Sequence, residues 1–248
     1  MSQFSFLLCS LIALSVLIIV SASPKILAAV ITCQPQTPCD GTNDNDSING
    51  TNQNDVMNGL DGKDKMFGNA GDDKMIGGAG PDNLNGDDGN DMLDELLDTT
   101  KNVVSGGRGD DYVRGGNADD TINGDDGQDV LHGYGGNDRI RGGVGDDLLQ
   151  GLQANDILYG GEGNDALVGD WDTGPISIYG ADVLKGGPGD DLLFQSGVTV
   201  DDIPGTIPAI APDGHKDVLD CGEGNDQAWG NLNTDHDEFK NCEVINHE

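Results

Sequence analysis

Between residues 106 and 168 an aliphatic residue returns every nine positions, at Val113, Ile122, Leu131, Ile140, Leu149, Leu158 and Leu167, and glycine and polar residues dominate the places between. Cut at that period, the stretch reads GGRGDDYVR, GGNADDTIN, GDDGQDVLH, GYGGNDRIR, GGVGDDLLQ, GLQANDILY, GGEGNDALV. Glycine opens every unit, and aspartate holds the sixth place each time. Self-similarity at a short fixed period predicts a solenoid, one turn of backbone stacked on the next. Glycine at the first, second and fourth places permits positive φ and a tight reversal. The last three residues form a short strand whose middle side chain points inward. Two units then make one coil, with a turn on each side.

The same pattern extends in both directions and sets the domain organisation. Residues 41–94 are repeats with inward Ile48, Met57, Met66, Met75, Leu84 and Leu93, and the first two units are degenerate because they lack the fourth-place glycine. Residues 95–105 break the period and are expected to be an insertion loop, with Leu96 and Leu97 packing back on the roll. The main block, 106–168, is followed by a second insertion loop at 169–176, repeats at 177–194, a Pro-containing loop at 195–211, and terminal repeats with a disulfide cap at 212–248. A solenoid exposes its last coil and needs such a cap. Phe239, Val244 and Ile245 are the residues expected to cover it.

These units resemble the RTX family, the hemolysin-type calcium-binding nonapeptide G-G-x-G-x-D-x-U-x, over most of residues 41–194 and again near 212–229. The resemblance implies an all-β fold, a right-handed parallel β-roll. It also implies Ca²⁺ ions between adjacent turns, each held by two sixth-place aspartates and turn carbonyls. The residues it assigns to the metal are Asp64, Asp73, Asp82, Asp91, Asp111, Asp120, Asp129, Asp138, Asp147, Asp156, Asp165, Asp182, Asp191 and Asp226. The units carrying Asp46, Asp55 and Asp156 are poor in glycine, and the unit of Asp217 has His215 at its fourth place, so these four depart from the pattern. Aspartates two units apart stack at about the strand spacing of 4.8 Å. Asp111, Asp129, Asp147 and Asp165 make one ladder, and Asp120, Asp138 and Asp156 the other. Like charges so placed repel. A hard cation that takes six to eight oxygens, as Ca²⁺ does, relieves them. One buried aliphatic per nine residues is a thin core, so the metal-free roll is expected to be largely unfolded.

Composition narrows the function. Lys plus Arg number 12 against 45 Asp plus Glu, a formal charge of −33, which excludes nucleic acid as a partner because phosphate binding requires a basic face. Residues 4–20 are apolar and are followed by small residues up to Ala29, so 1–29 are expected to be a secretory signal peptide cleaved between Ala22 and Ala29, leaving no stable membrane span. Residues 30–40 form a Cys-containing lead-in. Beyond the signal, Cys33, Cys39, Cys221 and Cys242 allow three disulfide connectivities. Local pairing, Cys33–Cys39 and Cys221–Cys242, requires the least excursion, and a zinc site is the weaker alternative because neither pair has CxxC spacing. No GxSxG or HExxH is present and the four histidines are scattered, so an enzyme is not expected. The expectation is a secreted calcium-binding protein of a cell surface or matrix. The alternative is an adhesin or an accessory module of an extracellular enzyme system.

Overall fold

A computed structural model describes residues 29–34, 37–170, 180–196, 215–230 and 236–246 of the protein. The signal segment expected at residues 1–29, except Ala29, lies outside these residues, as do Trp171 and most of the loops expected at 169–176 and 195–211. Among the described residues the regular structure is entirely β, and no helix is long and apolar enough to cross a membrane.

Successive strands alternate between two parallel sheets of eleven strands each. Each strand therefore pairs with the one two places along the chain. Leu131 lies beside Leu149 and that residue beside Leu167 in one sheet, while Ile122, Ile140 and Leu158 line up in the other. A parallel pair needs a crossover of a dozen or more residues, and here the crossover is the opposing strand with its two turns. From Val103–Arg108 to Val218–Glu223 every strand is longer than the three residues the repeat predicts. Val130–Gly135 and Arg139–Val144 run on through the first three places of the next unit, so that only the following three residues turn the chain.

Inward side chains from the two sheets meet in a single file. Every expected inward residue from Ile48 to Leu167 is fully buried, and Leu184, Leu193, Leu219 and Ala228 continue the row. The lead-in belongs to the same stack: Ile31 pairs with Ile48 and Cys39 with Met57. Cys33–Cys39 and Cys221–Cys242 are disulfide bonded, so these cysteines offer no thiolate to zinc.

Two expectations are corrected. Residues 95–105 are half a coil lengthened by two residues, not an insertion loop. Val103–Arg108 is a full strand, Val104 takes the inward place beside Leu84, and the offset between neighbouring rungs grows from 18 to 20. Leu97 does not pack back but stands 94% exposed, whereas Leu96 is half-buried. At the C-terminus the cover is one more strand in each sheet: Phe239, in Glu238–Lys240 beside Leu219, packs on the core as expected, whereas Val244 and Ile245, in Val244–Asn246 beside Gln227 and Ala228, stay 46% and 38% exposed and do not close it.

Candidate metal centre

The turn that joins the sheets positions the aspartate. After the inward side chain of one unit, the chain runs straight through the next first-place glycine and then reverses. The fourth-place residue takes the left-handed region, with φ of 117° at Gly109 and 137° at Gly145. First-place glycine has a different purpose from the one expected. It is needed for room, not for positive φ. A Cβ at Gly106 would stand 2.2 Å from Asp111 Oδ2, and one at Gly124 2.1 Å from Asp129 Oδ2. The sixth-place carboxylate folds back over its own unit's opening glycine, and no other residue leaves that space.

Folded in this way, the aspartates form two continuous ladders. The backbone N–H of Asp111 donates to Asp129 Oδ1 at 2.8 Å, Asp129 to Asp147 at 2.8 Å, and Asp147 to Asp165 at 3.0 Å. On the other edge Asp120 donates to Asp138, and Asp138 to Asp156, each at 2.8 Å. The long insertions do not break the pattern. Asp156 donates to Asp182 at 2.8 Å across 26 residues, and Asp191 to Asp226 at 2.9 Å across 35. All fourteen expected residues therefore stand in the two ladders. Asp64, Asp73, Asp82 and Asp91 complete the N-terminal half, with Asp64 donating to Asp82 and Asp73 to Asp91 at 2.7 Å each.

Several rungs were missed or set aside in the sequence. Asp46, Asp55 and Asp217 belong to the ladders although their units are degenerate, and so do Asn102, Asp237 and Glu243. The signal that finds them is an acid or amide two places before an inward apolar residue: Asn102 before Val104, Asp217 before Leu219, Asp237 before Phe239, Glu243 before Ile245. A second, exposed ladder runs through the fifth places, where Gln128 N–H donates to Asp110 Oδ1 and Asn164 N–H to Asp146 Oδ1.

The other carboxylate oxygen is the notable one. Oδ2 of Asp64, Asp73, Asp82, Asp91, Asp111, Asp120, Asp129, Asp138, Asp147, Asp156, Asp165, Asp191 and Asp226 is buried without a hydrogen-bond donor. A buried carboxylate oxygen left without a partner is costly. Burial accordingly pushes these carboxyls up, to about 6 at Asp129, about 7 at Asp147, about 8 at Asp111 and Asp138, and about 10 at Asp156, with neighbouring aspartates adding to the effect. Each of these rungs thus presents one engaged and one open oxygen. The donor set is carboxylate and backbone carbonyl, which suits a hard cation of Ca²⁺ type. Among the described residues no three acidic, histidine or cysteine side chains converge on one point, so an ion here would take its remaining ligands from main-chain carbonyls.

The sequence profile of the RTX calcium-binding nonapeptide repeat matches residues 40–75, 67–94, 98–131, 115–149, 132–167 and 179–194, more than half of the chain. No curated protein matches it.

Proposed function

The chain belongs to the RTX calcium-binding nonapeptide repeat family, and from that premise we propose a secreted, non-catalytic protein whose β-roll folds as Ca²⁺ fills the aspartate ladders, serving as a structural component of a cell surface or extracellular matrix. The observation that carries this reading is the rank of buried carboxylate oxygens with no donor, repeated at successive coils along both edges. Like charges at strand spacing oppose the folded state, and a divalent cation between rungs converts that repulsion into cross-linking. Because the rungs come together only in the rolled chain, metal binding and folding are one process. Two disulfides, one near each end of the roll, suit an oxidising compartment. Inward places filled by aliphatic side chains, with polar groups ranked along the edges, favour a binding role over a catalytic one.

The test is a calcium titration of the secreted protein followed by far-UV circular dichroism and hydrodynamic radius. Metal-free protein is expected to be expanded and coil-like, Ca²⁺ to compact it into β-structure, and Mg²⁺ to substitute poorly because it demands octahedral geometry and retains its waters. A metal-free protein already folded and compact would overturn the proposal. N-terminal sequencing checks export separately, with a mature start expected between about residues 23 and 30. An intact Met1 on a soluble cytoplasmic protein would reject it.

A further inference from the structure

The half-coil at 95–105 differs from its neighbours at both places that build the cradle. Its rung is Asn102, an uncharged amide, and its first place is Glu95, where the units at Gly77, Gly86 and Gly106 open with glycine. Asn102 keeps the ladder's hydrogen bonds. Its Oδ1 accepts the N–H of Asp82 at 2.9 Å, and its own N–H donates to Asp120 Oδ1 at 2.6 Å. Its Nδ2 donates to Asp98 Oδ2 at 3.0 Å, and the Asp98 carboxylate also accepts the Thr99 N–H and the Thr100 hydroxyl. Asp98 is therefore a positioning residue whose oxygens are already engaged.

Glu95 is placed otherwise. It is only 2% exposed, its Oε2 accepts the Gly78 N–H at 3.3 Å, and its Oε1 has no partner. The carboxylate lies over Gly77, where a Cβ would meet Oε1 at 1.9 Å. Gly77 opens the unit of Asp82, whose Oδ2 is likewise buried and open. Of the like charges acting on Glu95, that of Asp82 is the strongest, ahead of Asp98 and Asp120.

We propose that Glu95 Oε1 and Asp82 Oδ2 form a calcium site of their own, in which a first-place glutamate supplies the carboxylate that the ladder lacks at Asn102. The inference rests on the calcium-binding reading above and adds a ligand that the nonapeptide does not contain. A regular gap faces two aspartates, enough to neutralise one Ca²⁺. The gap between Asp82 and Asn102 faces one, and Glu95 restores the second. The competing account is a shared proton, since two buried carboxylates with no cation between them do not both ionise. Burial does push Glu95 up to about 10 in the metal-free protein. The two accounts differ in what an amide does there, because glutamine matches a protonated glutamate in shape and carries no charge.

The experiment counts Ca²⁺ by native mass spectrometry and calorimetric titration on the full secreted chain, as wild type, as E95Q, and as E95G/N102D, which restores the regular glycine and aspartate. The expected result is one ion fewer in E95Q and the wild-type number in E95G/N102D. E95Q binding the wild-type number, or E95G/N102D binding more than the wild type, would mean that no ion sits at Glu95 and overturns the proposal. If E95Q loses its β signal altogether, the count for E95G/N102D decides. A wild type that binds no Ca²⁺ defeats the whole calcium reading as well, whereas unchanged counts in a calcium-loaded roll defeat this site alone.

Discussion

The first two units, 41–58, and the glycine-rich units that follow build the same roll in the same register, yet they satisfy their aspartates differently. At Asp46 the backbone N–H and hydroxyl of Thr42 donate to Oδ2 at 2.6 and 2.9 Å, and Thr51 does the same for Asp55. The ladder bonds above them are ordinary, with Asp46 donating to Asp64 Oδ1 and Asp55 to Asp73 Oδ1, each at 2.7 Å. From Asp64 to Asp165, and at Asp191 and Asp226, the buried Oδ2 of the aspartate rungs has neither the threonine nor any other donor. Register is thus held by Oδ1 and the backbone, while on the proposed function Oδ2 is the atom through which a coil depends on a cation. Threonine at the second place caps that oxygen from within, and without it the oxygen is open to the Ca²⁺ of the proposal. One oxygen stays open even in the closed units, Asp55 Oδ1.

The sharpest way to break this comparison is to remove one aspartate from each region. Asp138→Ala removes an open oxygen in mid-ladder and also strands the buried N–H of Asp120 that it accepts. A stranded buried donor alone costs about 1–3 kcal/mol, and each 1.4 kcal/mol is tenfold in an equilibrium. The calcium midpoint should therefore rise about tenfold or more, with fewer ions bound at saturation. Asp46→Ala should lower the thermal midpoint of the calcium-loaded protein through its lost Thr42 and Ala29 contacts, and leave the ion number unchanged. Equal ion losses in the two variants would erase the distinction.

Acid should act on the glycine-rich units in a predictable direction. In the metal-free roll, burial raises Asp73 to about 7 and Asp111 and Asp138 to about 8, from 3.8. A carboxyl whose folded value exceeds its unfolded one binds more protons when folded. Its favourable contribution is complete below about pH 4 and is lost as pH rises through about 6 to 8. Metal-free protein should therefore gain β-structure between pH 8 and pH 4. Calcium-loaded protein should release its ions over the same window, as protons compete for Oδ2. Circular dichroism in chelator at the two pH values checks the first claim, and identical spectra would refute it.

A smaller change tests the closed units from their own side. Thr51→Ala removes one hydroxyl donor to Asp55 and should cost about 1 kcal/mol, or roughly 2–4 °C in a domain of this size. Thr121, which makes no such bond and stands at the seventh place on an outer face, serves as the control. Its replacement by alanine should stay within about 0.5 kcal/mol. Equal shifts for the two would remove the threonine cap from the account.

How much of this was legible in the sequence follows from what the period does and does not encode. A nine-residue repeat states which side chain points inward and which aspartate stacks, so Leu131, Ile140, Asp129 and Asp138 stand where they were expected. Counting in nines loses its frame wherever residues are added. Asn102, Asp237 and Glu243 therefore escaped notice, although hydrogen bonding carries the ladder across the additions; Asp217 was in frame and was set aside for His215 at its fourth place, which the ladder tolerates. The open state of Oδ2 was not legible at all, because it depends on how closely a carboxylate approaches the opening glycine. The threonine caps at Asp46 and Asp55 depend on the same approach.

The smallest expected effect concerns the unit at 151–159, which keeps its aspartate in the ladder at a local cost. Ala154 holds the fourth place with φ of 78°, and Leu152 the second place with φ of 84°, where neighbouring units have glycine at one or both. An L-residue in the left-handed region costs about 1–2 kcal/mol. Exchanging alanine for glycine returns about 0.4–1 kcal/mol of that as entropy of the unfolded chain. Ala154→Gly should then stabilise the calcium-loaded roll by a net of about 0.5–1 kcal/mol, with no change in the number of ions. Ala118 holds the fourth place of another unit without a positive φ. There the strain to relieve is missing and only the entropy remains, so Ala118→Gly should destabilise by about 0.4–1 kcal/mol. Thermal melts of both variants in saturating Ca²⁺ read the difference. Shifts of the same sign would show that the Ala154 backbone, and not the glycine pattern as a whole, had been misjudged.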